Sequence, residues 1–243
     1  RIISGLGQRG QCAARNTGIQ AASSNIIFIA DADIILSTNC LRYHINIHKI
    51  FRSPLVVMGP TNFEWVPRHA LDTPSRFANE LLELDDETRT AKAELQSRKL
   101  NSYLNCVTRN VSMSPKNALE LFDESYGYIA SNPSSGFGWE DIELGCRLAK
   151  AGFEFFFDPG TVTVHVSHLP SIPHQEKGVR CLRNFLRLLQ SHPEVIAEDK
   201  TWFCRTATAI KNWVSPILPI DDKGLVLLEQ LIYGNGCSNI EIR

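Results

Sequence analysis

The sequence lacks the cysteine pattern of a metal-binding or disulfide-stapled domain. Its seven cysteines include no Cys-x-x-Cys pair and are widely spread, at positions 12, 40, 106, 146, 181, 204 and 237. Several fall inside apolar stretches, so we expect reduced, buried thiols rather than a disulfide framework or a zinc site.

Long hydrophobic runs and an excess of one charge are missing as well. No apolar stretch approaches the roughly 20 residues of a membrane-spanning helix, so no transmembrane segment is predicted in this chain. With 25 basic and 26 acidic residues, bulk electrostatics give no reason to expect a nucleic-acid partner. The chain opens at Arg1 in a glycine-rich turn, where no targeting signal is observable, and we expect a cytoplasmic protein.

The chain does contain an alternation of short apolar runs and helical patterns. Beyond Pro170 the pattern becomes helical. We therefore expect an α/β core over residues 1–170, with a mainly parallel mixed sheet and helices on both faces, and a helical extension over residues 171–243. The predicted strands lie at 26–30, 55–59, 106–113, 153–157 and 161–166.

Two carboxylates follow the first of these strands. Asp31 and Asp33 come directly after the apolar run IIFIA, with one residue between them. In an open α/β sheet, ligands bind at the carboxyl ends of strands, and two such carboxylates can hold Mg²⁺ or Mn²⁺ together with a substrate pyrophosphate. Aspartates are also common turn formers at strand ends, so the pair alone leaves both interpretations open.

A second cluster combines an aromatic ring with two acids. Trp139, Glu140 and Asp141 follow a loop rich in glycine and serine, at the start of a predicted helix. An aromatic ring can stack on a sugar while a neighbouring carboxylate accepts a hydroxyl proton. Acids in the first turn of a helix can also simply complement the helix dipole. The cluster therefore predicts either a sugar site or an ordinary helix start.

Two further features carry polar groups that could join these clusters. Period-two alternation in TVTVHV places His165 on the more polar face, where it could be a metal ligand or a surface residue, and His168 could substitute for it. Farther along, Arg180 and Arg183 follow a basic loop. This loop could close over a diphosphate leaving group, or it could be an exposed loop before a basic helix.

Taken in order and spacing, these segments resemble the family-2 glycosyltransferases and their GT-A relatives. The resemblance covers roughly residues 4–170 and rests on GQRGQCAARNTGIQAASSNIIFIADADI, on CVTRNVSM followed by LFDESYGY, and on GFGWEDIELGCRLAKAGFEFFFDPGTVTVHVSH. The last segment resembles the C-terminal module of galactosyl- and N-acetylgalactosaminyltransferases and of chondroitin-polymerase-like enzymes. The resemblance implies a GT-A fold whose first β-α units would precede Gly5, so we expect an N-terminally truncated domain.

The resemblance implies how a donor would be bound. Asp31 and Asp33 match the family's Asp-x-Asp motif, which holds Mn²⁺ or Mg²⁺ on the diphosphate of the sugar nucleotide. His165 falls at the position of the family's late metal-binding histidine. Arg15 and Asn16 match the segment near the nucleotide and the donor sugar. The implied donor is a nucleoside-diphosphate sugar, with a UDP-sugar preferred.

The resemblance also implies how an acceptor would react. Asp141 would be the general base that deprotonates the acceptor hydroxyl, and Glu140 would bind donor or acceptor hydroxyls. Trp139 would form a wall of the acceptor site, and Asn110 would contribute to it. The implied reaction is a single inverting displacement onto a carbohydrate or another hydroxyl acceptor.

Two alternatives remain open. IIFIADADI also resembles the nucleophile strand of haloacid-dehalogenase-type phosphatases, with Asp31 as nucleophile and Asp33 as general acid, although Ile34 departs from that pattern. A truncated transferase could also act as a non-catalytic binding module. The transferase interpretation requires Asp31, Asp33, Asp141 and His165 to converge around one cation at the rim of a single sheet.

Overall fold

Seven ranges of the chain are described by a computed structural model: residues 10–51, 53–64, 99–100, 102–129, 131–132, 134–166 and 172–237. The chain divides into two compact units. The predicted domain boundary at residue 170 stays a prediction. The sheet unit comprises Ile19–Leu121 and Arg147–Leu169, and the helical unit comprises Arg1–Gly18, Phe122–Cys146 and Pro170–Arg243.

The sheet unit contains a five-stranded mixed sheet, which agrees with the predicted α/β class. Strand β3 (Leu55–Met58) pairs in parallel with β7 (Glu154–Phe157). Antiparallel pairs join β1 (Ile27–Ala30) to β6 (Asn110–Ser114), β6 to β3, and β7 to β5 (Lys99–Leu100). Three of the four described pairings are thus antiparallel where the sequence predicts a mainly parallel sheet, because β6 runs against both of its neighbours and β5 runs against β7. Strands β1, β3 and β7 therefore point in one direction, and their carboxyl ends lie at the same edge. In spatial order the strands are β1, β6, β3, β7 and β5.

The apolar sequence of β3 explains its central place in this sheet. Leu55, Val56 and Val57 are all fully buried, and because successive side chains point to opposite faces, both faces of the strand are covered. On one face, Leu55 and Val57 pack against Ile47 of helix α2 (Cys40–Ile50).

A second sheet in the same unit has three strands. Its order is β2 (Ile34–Leu36), β8 (Thr163–Val166) and β4 (Thr61–Glu64), with β2–β8 antiparallel and β4–β8 parallel. The register places Ile34 opposite His165. Strands β7 and β8 follow one another in sequence as predicted, but they belong to different sheets.

A buried polar network joins α2 to β6. His44 Nδ1 lies 2.8 Å from Ser112 Oγ, and His44 Nε2 lies 3.0 Å from Asn110 Oδ1. His48 continues the chain, with Nε2 2.8 Å from the same Ser112 Oγ and Nδ1 2.9 Å from Ser114 Oγ. Burial lowers the pKa of both imidazoles, and that of His48 falls to about 4. Both rings are therefore neutral near neutral pH.

Helices build most of the helical unit, in agreement with the predicted helical extension. Its core includes the fully buried side chains of Phe185, Leu188, Phe203 and Leu228. Within the described part of the chain, no helix has the length and apolar character needed to cross a membrane. The described helices other than α2 are, in chain order, α1 (Gly10–Ala21), α3 (Glu140–Lys150), α4 (His174–Ser191), α5 (Glu194–Glu198), α6 (Lys200–Val214) and α7 (Lys223–Gly234).

One pair of cysteines departs from the expected reduced state. Cys204 on α6 and Cys237 after α7 form a disulfide, with their Cα atoms 5.2 Å apart. The prediction of reduced thiols is wrong for this pair, because a separation of 33 residues conceals that the fold brings the two positions together. The remaining cysteines are free and buried as predicted: Cys12, Cys40, Cys106, Cys146 and Cys181.

Candidate active site

The turn after β1 carries the two predicted aspartates. The backbone N–H of Ile34 donates to the carbonyl of Asp31 at 3.3 Å, and the N–H of Val166 donates to the carbonyl of Asp33 at 2.9 Å. These bonds fix the turn between β1 and β2, and both aspartates are partly exposed. Asp31 and Asp33 thus lie at the carboxyl end of β1, where the sequence predicts them.

Strand pairing brings one of these aspartates to the predicted histidine. Because Ile34 lies opposite His165, the preceding residue, Asp33, lies next to the imidazole. Asp33 Oδ2 lies 3.4 Å from His165 Nε2, and their side chains are 32% and 16% exposed. A carboxylate and an imidazole are therefore presented side by side to a partly open surface of the sheet unit.

Asp33 and His165 fit two neighbouring positions around Mn²⁺ or Mg²⁺. Ligand atoms about 2.1 Å from an ion lie about 3.0 Å apart in adjacent octahedral positions, close to the observed separation. Asp31 does not complete a set with them, since the described ranges hold no group of three or more His, Cys, Asp or Glu side chains arranged for a metal. Substrate phosphates commonly supply further ligands to such ions. His168 lies outside the described residues.

The helical unit holds a second cluster of predicted residues, around Glu140. Glu140 Oε1 accepts hydrogen bonds from Arg15 Nη1 at 3.0 Å and from Gln11 Nε2 at 3.4 Å. The Arg15 and Glu140 side chains are only 16% and 9% exposed. Gln11 also accepts from the backbone N–H of Tyr128 at 3.0 Å. The donor role of Arg15 and the hydroxyl-binding role of Glu140 stay predictions, and in this conformation the two side chains neutralise each other.

The side-chain amide of Asn16, beside Arg15 on α1, is hydrogen-bonded to backbone groups. Its Nδ2 donates to the carbonyl of Phe122 at 2.9 Å, and its Oδ1 accepts from the N–H of the same residue at 2.8 Å. Nδ2 also lies 3.3 Å from Glu124 Oε1. With 6% exposure, Asn16 ties α1 to this segment, and its predicted nucleotide contact stays a prediction.

Asn110 lies in the interior of the sheet unit and is 1% exposed. Its Nδ2 donates to the carbonyl of Pro60 at 3.0 Å and to that of Thr161, and its Oδ1 accepts from His44 and Cys40. An acceptor could reach this amide only by displacing those partners. The acceptor role of Asn110 stays a prediction, and its burial favours a structural task.

The backbone before α3 is unusual at two successive positions. Gly138 has φ +73° and Trp139 has φ +72°, so both lie in the left-handed region. For tryptophan this conformation costs on the order of 1–3 kcal/mol and persists only where surrounding contacts enforce it. The chain then enters α3, where Asp141 is partly exposed and its Oδ1 accepts from the N–H of Ile142 at 2.9 Å. Strain next to the predicted base supports a functional reason for this turn.

The ring of Trp139 is held by the helices that follow it. Its Nε1 donates to the carbonyl of Cys181 on α4 at 3.1 Å. The ring centroid lies 4.8 Å from that of Phe185 and 6.1 Å from that of Trp202. One side of the indole is therefore packed against protein, while the residue remains partly exposed. The predicted acceptor wall at Trp139 stays a prediction.

The basic segment near residue 180 makes hydrogen bonds to the loop before α3. Arg180 is 3% exposed and donates through Nη1 to the carbonyl of Asn132 at 3.0 Å and to Ser135 Oγ at 2.5 Å. Its guanidinium also lies 4.9 Å from the centre of the Tyr128 ring and bonds to Glu176. Arg180 is thus bonded to protein groups, which argues against its contacting a diphosphate in the predicted closure of the basic loop.

Comparison with known proteins bears on the beginning of the chain. Residues 1–97 match the sequence model described as "Glycosyl transferase family 2". This matched range includes Arg15, Asn16, Asp31 and Asp33, which are predicted to bind the donor, and it ends before Asp141. The predicted resemblance to family-2 glycosyltransferases is therefore confirmed for this part of the chain. No curated protein matches the sequence significantly.

Among solved structures, the chain is similar to GalNAc-T7, whose crystal structure contains UDP, GalNAc and Mn²⁺. The identity is 13% and the TM-score is 0.48, with 93% of this chain and 41% of that one covered. The chain therefore spans less than half of the length of this neighbour.

Proposed function

We propose that this chain is the catalytic part of a metal-dependent, inverting glycosyltransferase. It would move a sugar from a nucleoside-diphosphate sugar, with UDP-sugars first, to the hydroxyl of a carbohydrate or another acceptor. The observation that carries the proposal is the pairing of Asp33 with His165 at a strand end, inside a chain whose residues 1–97 match family-2 glycosyltransferases.

The proposed metal ligands lie in the sheet unit. Asp33 and His165, joined by Asp31 once a ligand is present, would hold Mn²⁺ or Mg²⁺. The ion would offset the charge that grows on the departing nucleoside diphosphate. The 3.4 Å separation of carboxylate and imidazole supports this role because both groups can face one ion without a change of backbone.

The proposed general base lies in the helical unit. Asp141 would take the acceptor proton as the acceptor oxygen bonds to the anomeric carbon and the bond from that carbon to the diphosphate oxygen breaks. Two features support this assignment. Asp141 is partly exposed, and it lies in the first turn of α3, where the helix dipole favours an ionised carboxylate.

Turnover by the full chain and by an Asp141→Asn variant tests this proposal. The assay measures nucleoside diphosphate released from a panel of UDP-sugars with Mn²⁺, with water or mixed oligosaccharides as acceptor. We expect Asp141→Asn to lower the rate by about 10²–10⁴-fold while UDP affinity changes by less than about twofold. The exposed Asp221→Asn is the matched control and keeps the wild-type rate.

Three other outcomes would contradict the proposal. A wild-type rate in Asp141→Asn would remove this residue as the base. Mn²⁺-dependent UDP binding with no release from any donor would favour a non-catalytic binding module. Hydrolysis of p-nitrophenyl phosphate that depends on Asp31 would favour the phosphatase alternative.

A further inference from the structure

The turn that leads into α3 is tied to one side chain of α4. The amide of Asn184 is fully buried, and its Nδ2 donates to the carbonyl oxygens of Gly138 at 2.8 Å and Tyr126 at 3.0 Å. Both N–H groups of the amide are therefore used on backbone carbonyls, one at each end of the loop before α3.

We infer that Asn184 is a positioning residue for the proposed transfer reaction. It fixes the left-handed backbone at Gly138 and Trp139, and with it the direction in which α3 begins. The carboxylates of Glu140 and Asp141 stand at the first two positions of that helix, so their direction follows from this turn. The inference rests on the proposed function, which gives Asp141 its role.

The hydrogen bond from Asn184 to Gly138 lies at the turn where the backbone adopts the left-handed conformation. Its carbonyl belongs to the planar peptide unit that joins Gly138 to Trp139, so holding the oxygen holds the whole plane. A φ of +72° at tryptophan needs contacts that enforce it. A hydrogen bond from the buried Asn184 amide meets that need, because breaking it would leave a buried N–H group of that amide without a partner.

Gly136 fixes the opposite side of the Asn184 amide. A Cβ at position 136 would lie 1.8 Å from Asn184 Oδ1, so only glycine leaves room for the amide in this orientation. The backbone of Gly136 is outside the left-handed region, and the requirement is therefore one of space. An alanine at 136 should displace Asn184 without changing its chemistry.

Neighbouring groups of α4 reinforce the same turn. The backbone N–H of Phe137 donates to the carbonyl of Arg180 at 3.3 Å, and the indole of Trp139 donates to the carbonyl of Cys181 at 3.1 Å. Asn184 differs from these two contacts because its side chain donates to the carbonyl of Gly138, which lies between the two left-handed residues. A substitution can therefore remove this hydrogen bond without altering the backbone of α4.

Steady-state kinetics of four variants test the inference. Asn184→Leu and Gly136→Ala are compared with Asn212→Leu, at an exposed position of α6, and Gly234→Ala, where an added Cβ meets nothing within 4 Å. The probe is UDP release from a UDP-sugar with Mn²⁺. We expect kcat to fall by about 10²-fold in the first two variants, with KM and UDP affinity within about twofold of wild type. The two controls should match the wild type.

Native-state hydrogen exchange gives a readout that needs no turnover. The amides of Phe137 and Glu143 donate to the carbonyls of Arg180 and Trp139, and so report on the turn and on the start of α3. In Asn184→Leu we expect both amides to exchange about tenfold faster or more, while amides within α7 change little.

Two results would overturn the inference. One is kcat at the wild-type level in both Asn184→Leu and Gly136→Ala. The other is an equal loss of exchange protection throughout the helical unit, which would mean that Asn184 only stabilises the fold. If the wild type releases UDP from no donor, the proposed function fails, and the exchange result alone decides whether Asn184 holds the turn.

Discussion

Two groups of predicted residues differ in what already surrounds them. Arg15 and Glu140 bond to each other, and Asn16 bonds to backbone, with little exposure in each case. The Asp33 side chain is instead 32% exposed, and Asp141 is partly exposed. Since a more exposed group can be reached by a ligand with less rearrangement of the protein, Asp33 and Asp141 are better placed to meet a substrate directly.

The Arg15–Glu140 pair gives a prediction for one residue. Arg15→Met preserves most of the apolar volume and leaves a buried carboxylate without its cation. We expect the free energy of unfolding to fall by about 2–4 kcal/mol, somewhat below the value for a fully buried pair because Arg15 is 16% exposed. Urea denaturation followed by circular dichroism measures the change.

A double variant separates the pair from other effects of the substitution. Arg15→Met combined with Glu140→Gln removes both charges and should recover part of the lost stability. Arg205→Met, at an exposed position of α6, is the matched control and should change little. A double variant as unstable as Arg15→Met alone would show that the ion pair is not the cause.

At the scale of secondary-structure elements, the contact of α2 with β6 makes the stability of the fold depend on pH. His48 is 9% exposed, and its pKa falls to about 4 because burial and the neighbouring His44 disfavour its charged form. The unfolded chain therefore takes up this proton at a higher pH than the folded chain. Stability is unaffected well above pH 6.5, and it declines as the pH falls from about 6.5 towards about 4.

The size of this decline can be estimated for His48. A pKa lowered by about 2.5 from the ordinary histidine value corresponds to roughly 3 kcal/mol across the full window. Unfolding free energies from urea titrations between pH 7.5 and pH 4.5 measure it. The His48→Gln variant should show a shallower decline, whereas the exposed His174→Gln should not. Equal slopes in wild type and His48→Gln would contradict this account of the network.

The sequence predicts the main elements well, and it fails on the short ones. Apolar runs of four or more residues mark β1 and β3, and three successive phenylalanines mark β7, because short apolar runs of this kind suit strands covered on both faces. Strands β2 and β5 have three and two residues and exist only through pairing with distant partners. No local pattern encodes that pairing.

The candidate site shows the same limit. Asp33 and His165 are recognisable by type and position, but their contact depends on a strand register that joins residues 34 and 165. Asn184 leaves only a faint signal: it shares a helical face with Cys181 and Leu188, and a polar residue on a buried face must find a partner. The partner itself, a loop carbonyl, cannot be read from sequence.

At the scale of the whole molecule, different interactions stabilise the two units. The sheet unit is organised by strand pairing around fully apolar strands, and the helical unit by an aromatic and leucine core to which the Cys204–Cys237 disulfide adds a covalent tie. The family match over residues 1–97 covers two-fifths of the chain, 97 of 243 residues. Activity of the whole protein is accordingly a proposal.

The proposed function requires Asp33 and His165 to hold the ion on a nucleotide donor. Isothermal titration of UDP into the full chain, with and without Mn²⁺, tests it most directly. We expect Mn²⁺ to strengthen UDP binding in the wild type and in the exposed control Asp221→Asn, and Asp33→Asn to lose about 10–100-fold of the affinity measured with Mn²⁺. If Mn²⁺ strengthens UDP binding to Asp33→Asn as much as to the wild type, Asp33 is not a ligand of the ion.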